Sequence, residues 1–213
     1  MTDNHWTLDS AINASMETFE LPSASFLEKL AAERAPIEAG APKVGEPAPD
    51  FAAEWLSADG TKTGERVSLE DYRGRDLALV FGNVTCPIYR GQIRRFNDIY
   101  DELKERYAFL LIYIREAHPE DGWQVEINRD QNVIYDQPVT AVERAEIAKA
   151  CVRQHAIDMP VAVDDMDDTI NSLYAGSPER LYLIDGDGIV RHRSVSGPFK
   201  LDTIETWYHA LKG

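Results

Sequence analysis

The chain has 213 residues, with 37 acidic against 22 basic side chains for a formal net charge of −15, and it is 44% hydrophobic and 28% charged. That length carries one domain with a sizeable core, or a domain with an appendage. The negative field repels phosphate backbones and anionic membrane surfaces, no apolar run reaches the roughly 18 residues of a bilayer span, and the N-terminus lacks the basic and apolar regions of a secretory signal, so the expected protein is cytoplasmic, without nucleic-acid or membrane partners.

Leu8, Ile12, Met16 and Phe19 fall at near-helical spacing, and SASFLEKLAAER predicts a second helix capped by Ser23 or Ser25. The stretch APIEAGAPKVGEPAPDF, rich in Ala, Pro and Gly, predicts a linker. Residues 1–43 are therefore expected as a helical extension and linker, packed on the core or on a second subunit of a homodimer, and residues 44–213 as the main domain.

In the main domain a turn at Asp59-Gly60 precedes VSLEDYRG, and DLALVFGN then predicts a strand buried on both faces. PIYRGQIRRFNDIYDELKERY is amphipathic, with Ile93, Phe96, Ile99, Tyr100 and Leu103 on one stripe, and AFLLIYI is a second buried strand. TAVERAEIAKACVRQH predicts a helix opened by a Thr140/Glu143 capping box. A short strand MPVAVDD, a short helix MDDTINSLYAG closed by Gly176, a hairpin ERLYLID-GDG-IVRHRSV and a terminal helix LDTIETWYHALKG complete the chain. A βαβ unit followed by a hairpin implies an α/β fold with a mixed sheet and helices on both faces.

There are two cysteines, Cys86 and Cys151, too few for a disulfide scaffold and without zinc-site spacing. Cys86 follows the first buried strand and precedes Pro87, which suits the first turn of a helix. Unpaired amides and the positive end of the helix dipole there lower a thiol pKa from ~8.5 to roughly 3.5–7.5, giving a nucleophilic thiolate. Cys151 lies on the helix TAVERAEIAKACVRQH, either as a resolving partner for oxidised Cys86 or as a small core residue beside Val142, Ile147 and Ala148.

VGEPAPDF, DYRGRDLALVFGNVTCP and SPERLYLIDGDG resemble the redoxin branch of the thioredoxin superfamily. Within it NVTCP, FLLIYIREAHPEDGW and PVAVDDMDDTINSLYAGSPERLYLIDGDGIV are similar to the iodothyronine deiodinases and their bacterial homologues, over roughly residues 44–211. The resemblance implies a thioredoxin-like fold and a thiol oxidoreductase, with Cys86 where the animal enzymes carry selenocysteine and Thr85 before it. It further implies that Glu116 and His118 line the pocket, that Arg180 lies close to the reactive atom, and that Pro178 follows a cis peptide bond facing the cysteine. Trp123 is either a pocket wall or core. Val84 stands where those enzymes have a second cysteine, and Pro138 lies near the position of a histidine associated with the iodothyronine phenol, so the resemblance implies a reaction class rather than the hormone itself.

The expected chemistry is attack by Cys86 on a soft electrophile, whether an organic halogen, a peroxide or a disulfide, with no bound cofactor and an external thiol such as thioredoxin or glutathione restoring it. The alternative is a non-catalytic redox-sensing or protein-binding module of the same fold.

Overall fold

The computed structural model describes residues 22–197 and 201–213; the helix expected around Leu8–Phe19 lies outside them. Helix α1 (Ala24–Gly40) starts at Ser23, whose hydroxyl accepts the Phe26 amide at 3.3 Å. The helix runs through Pro36 into the segment expected to be a linker. An interior proline costs about 3 kcal/mol through one lost hydrogen bond and a ring clash. Tertiary bonds at this end of α1 offset that: Arg34 donates to the Ser177 carbonyl, and Glu38 pairs with both Arg180 and Arg193.

After α1 the chain forms part of the sheet edge, where the sequence suggested a free connection. Gly45 and Ala48 donate to the Val190 and Gly188 carbonyls, each at 2.8 Å, and Pro47 bridges Ile189. A hairpin of β1 (Ala52–Leu56) and β2 (Lys62–Ser68) follows, with β2 largely exposed. Its turn requires Gly60, which has φ +79° and would place a Cβ 2.7 Å from the Lys149 backbone.

Strands β3 (Leu77–Gly82) and β4 (Ala108–Tyr113) are parallel and wholly buried, joined by α2 (Pro87–Leu103). After β4 come the short α3 (Glu126–Asp130), α4 (Ala141–His155) and β5 (Val161–Val163), which is parallel to β4. The Thr140 hydroxyl and Glu143 carboxylate cap α4 reciprocally, as the sequence predicts. Then α5 (Thr169–Tyr174), which ends on Ala175 in the left-handed region rather than on Gly176, leads to the antiparallel pair β6 (Arg180–Ile184) and β7 (Val190–Arg193) and to α6 (Leu201–Lys212). The sheet order is β2-β1-β5-β4-β3-β6-β7.

Alternation along the strands divides the core. Ala78, Val80, Phe109, Leu111 and Tyr113 face α2, α4 and α6, where Phe96 and Trp207 meet edge to face. Leu77, Leu79, Phe81, Leu110 and Ile112 face the other layer, with Phe51, Leu69, Ile170 and Tyr174. Cys151 is fully buried in the first cluster with Ala148 and Val152, whereas Val142, expected on that face, is exposed.

Two consequences position the site. The carboxyl ends of the parallel strands β3 and β4 share one edge of the sheet. Because β6 runs antiparallel to β3, its amino end reaches the same edge.

Candidate active site

Four segments meet at that edge: the β3–α2 loop, the β4–α3 loop, the turn before β6, and the inner side of α1. They enclose a cavity of about 730 Å³ whose wall includes Phe26, Leu30, Arg34, Cys86, Ile88, Glu116, His118, Trp123, Ser177 and Pro178. Its size and largely apolar lining with a few polar groups suit a small-molecule site.

Cys86 occupies the N-cap of α2, with Pro87 first in the helix. Gly82 makes this turn possible, since a Cβ there would stand 2.3 Å from the Tyr89 ring. Asn83 ties the turn together: its side-chain oxygen accepts the amides of Cys86 at 3.1 Å and Ala117 at 3.0 Å, and its amide donates to the Pro178 carbonyl at 3.0 Å. The Ser177–Pro178 bond is cis, as expected from the sequence.

The thiol departs from the sequence expectation. Its residue is 1% exposed, and burial, followed by the Glu179 carboxylate, pushes the thiol well above its ordinary pKa. The amides of Tyr89 and Ile88 and the Arg90 charge oppose this without prevailing. Desolvation therefore exceeds the helix-terminus effect in this unliganded geometry.

Glu116 is the hub of a buried network. Its carboxylate accepts the Thr85 amide at 3.0 Å, the Thr85 hydroxyl at 2.7 Å and the Tyr113 hydroxyl at 2.5 Å. The Thr85 oxygen also lies 3.0 Å from Asn83 Oδ1, but its one proton serves only one acceptor at a time. That oxygen accepts the His118 amide at 3.1 Å, so Thr85 joins the cysteine loop to the histidine loop. Burial raises the Glu116 pKa, with these donors and Arg144 acting against it.

His118 packs edge-on to Trp123, with ring centroids 4.6 Å apart, and its Nδ1 lies 3.1 Å from the Trp123 carbonyl. A carbonyl only accepts, so Nδ1 carries the proton and Nε2 is the basic nitrogen. Burial lowers its pKa to about 4, with the Arg90 charge adding to the effect and the Trp123 bond opposing it.

The iodothyronine deiodinase profile matches residues 28–211, most of the chain. The chain belongs to the iodothyronine deiodinase family. It is similar to a thyroxine 5-deiodinase of Gallus gallus, 34% identical over 173 residues covering 79% of this chain and 63% of that protein. For the thyroxine 5-deiodinase of Homo sapiens the identity is 30% over 167 residues, covering 76% and 52%. The chain thus spans between half and two thirds of the length of these relatives. Among solved structures it resembles one from Bacteroides thetaiotaomicron described as a protein disulfide isomerase, with TM-score 0.56, 19% identity and coverage of 80% and 89%. A thiol:disulfide interchange protein of Chlorobium tepidum gives TM-score 0.53 and 19% identity, covering 81% and 100%. These likenesses establish the thioredoxin-like fold.

Within this deiodinase-family domain, Cys86, Thr85, Glu116, His118, Trp123 and Pro178 come together, and Trp123 is a cavity wall. Arg180 does not join them in the manner expected. Its guanidinium donates to the Ala175 carbonyl at 3.1 Å, to the Ser194 carbonyl at 2.9 Å and to Glu38, which docks α1. The cations whose fields involve Cys86 are Arg90 and Arg34. Cys151 is buried away from the cavity wall, and both cysteines are free thiols.

Sequence reasoning missed Asn83, Arg90, Asn128, Gln137 and the contribution of α1. Gln137 exchanges two hydrogen bonds with the backbone of Glu116, at 2.9 and 3.0 Å. Asn128 donates to the Thr85 carbonyl at 2.9 Å. Only Asn83, three residues before the cysteine in a strand-to-helix turn, carried a local signal, since Asn side chains commonly bond nearby backbone. Among the described residues no group of three potential ligands is placed to hold a metal ion, and no helix is long and apolar enough to cross a membrane.

Proposed function

We propose that the chain is a thiol-dependent reductive dehalogenase of the deiodinase type, with Cys86 as nucleophile. The carrying observation is that Cys86, at a helix N-terminus, and the neutral His118 line one apolar cavity. The thiolate takes the halogen of an aryl iodide as a formal iodonium, the ring carbon takes a proton, and Cys86 becomes a sulfenyl iodide. A first external thiol displaces iodide to give a mixed disulfide; a second releases the Cys86 thiol and leaves in a disulfide. His118 acts as proton acceptor when the thiol ionises and returns that proton to the carbon. Glu116 and Thr85 hold the two loops in register. No cofactor is required, the reductant is a thiol such as glutathione or thioredoxin, and the compartment is the cytoplasm.

Iodide release from an iodinated phenol with dithiothreitol as reductant tests this reading. Turnover is expected from the unaltered chain and loss of it in Cys86→Ser; equal turnover in both would refute it. A parallel assay with peroxide separates dehalogenase from peroxidase action. One observation favours a second reading, a redox-sensing or binding module: the near-complete burial of Cys86. That reading gains if neither assay shows turnover while peroxide still oxidises Cys86.

A further inference from the structure

Arg90 is buried on the first turns of α2, its amide bonded to the Cys86 carbonyl at 3.1 Å. Its guanidinium donates to the Val84 carbonyl, to Asn128 Oδ1 at 2.8 Å and to Gln131 Oε1 at 2.7 Å. All three acceptors are neutral. Among the described residues no carboxylate forms an ion pair with it, although the chain carries 37 acids. An unpaired buried cation is destabilising by several kcal/mol, and proteins normally supply such a charge with a partner or replace it.

We infer that Arg90 is a positioning residue, held beneath the β3–α2 turn by neutral oxygens so that its countercharge is the Cys86 thiolate. The same bonds grip the turn: Arg90 holds the Val84 carbonyl while Asn128, which it bonds, holds the Thr85 carbonyl. A carboxylate partner would quench the charge; amide and carbonyl oxygens fix the guanidinium without neutralising it. A fixed arginine also differs from a cysteine–histidine ion pair. It favours the anionic sulfur and, by repulsion, the uncharged imidazole of His118, so nucleophile and base are prepared together.

The other groups acting on the sulfur leave this role to Arg90. Glu179, immediately before β6, opposes ionisation; Arg34 from α1 has the Glu38 carboxylate one turn away as its countercharge; Glu116 is bound to Thr85 and Tyr113; His118 is neutral; Cys151 on α4 lies away from the cavity wall. Arg90 sits one turn after Cys86 on α2, and its guanidinium holds the carbonyl two residues before the cysteine.

The inference rests on Cys86 being the nucleophile, and its test does not use dehalogenation. Alkylation of Cys86 by iodoacetamide is followed by mass spectrometry against pH in the full chain, in a Cys151→Ser background. Arg90→Gln should move the midpoint upward by about one pH unit or more, about a tenfold loss of rate below the midpoint. Arg90→Lys should stay near the unaltered protein. Gln131→Glu leaves the arginine in place but gives it a carboxylate, so it should shift the midpoint in the same direction even if Arg90→Gln fails to fold. His118, read by its NMR titration, should move upward in Gln131→Glu as well. An unchanged midpoint in folded Gln131→Glu, or an equal shift in Arg90→Lys and Arg90→Gln, would overturn the inference. Failure of Cys86 to alkylate at any pH in the parent would instead sink the nucleophile reading itself.

Discussion

Replacing His118 by Asn keeps a donor near the Trp123 carbonyl but removes a group whose pKa falls to about 4 on folding. In the unfolded chain the imidazole titrates near 6.5. Between these values the unfolded state binds the extra proton, so the His118 contribution is fully present above pH ~6.5 and is lost as the pH falls toward 4. Linkage over pH 7 to 4 gives a loss of about 3 kcal/mol from this one side chain. His155, also lowered to about 4, adds a similar slope, while Asp164, raised by burial to about 6, and Glu116 act in the opposite sense. These contributions are common to both proteins and cancel in the difference. Urea unfolding at pH 7, 5.5 and 4 should therefore show the parent losing about 3 kcal/mol more than His118→Asn. Parallel losses, within about 0.5 kcal/mol, would refute the neutral, buried imidazole.

Three further outcomes are expected. Glu116→Gln leaves two hydroxyls and an amide competing for one oxygen, and should lower stability by about 2 kcal/mol in urea while reducing iodide release at least tenfold. Trp207→Ala removes a fully buried indole bonded to the Tyr182 carbonyl at 3.0 Å; a loss of about 3–5 kcal/mol is expected by thermal or urea unfolding, with little change in Cys86 alkylation of the folded protein. Glu38→Gln removes the carboxylate paired with Arg180 and Arg193, and limited proteolysis should then cut α1 faster than in the parent.

Where function coincides with local pattern, the chain is legible. Apolar runs announce β3 and β4, Thr140 and Glu143 announce the start of α4, and strand-cysteine-proline announces the turn carrying Cys86. The β1–β2 hairpin escaped because β2 is a solvated edge carrying Lys62, Glu65 and Arg66, with no apolar alternation. The course of α1 escaped because Pro36 is a breaker by local rules, and the bonds that override it come from residues more than 140 positions away. The polar scaffold escaped for a similar reason: Asn128 and Gln137 are ordinary loop residues until folding brings them beneath Cys86 and beside Glu116. The burial of Cys86 escaped because a dipole can be inferred from a helix start, whereas the depth of burial depends on every element above it.

The position of α1 also bears on which reductant can restore the oxidised sulfur. Phe26, Leu30 and Arg34 of α1 line the same cavity as Cys86 and Trp123. A folded electron donor presents its cysteine on a broad surface, so for such a donor α1 (Ala24–Gly40) is part of the wall standing between the two sulfurs, whereas a tripeptide or a short dithiol has less bulk to bring past it. Turnover should accordingly depend on the girth of the donor as well as on its potential.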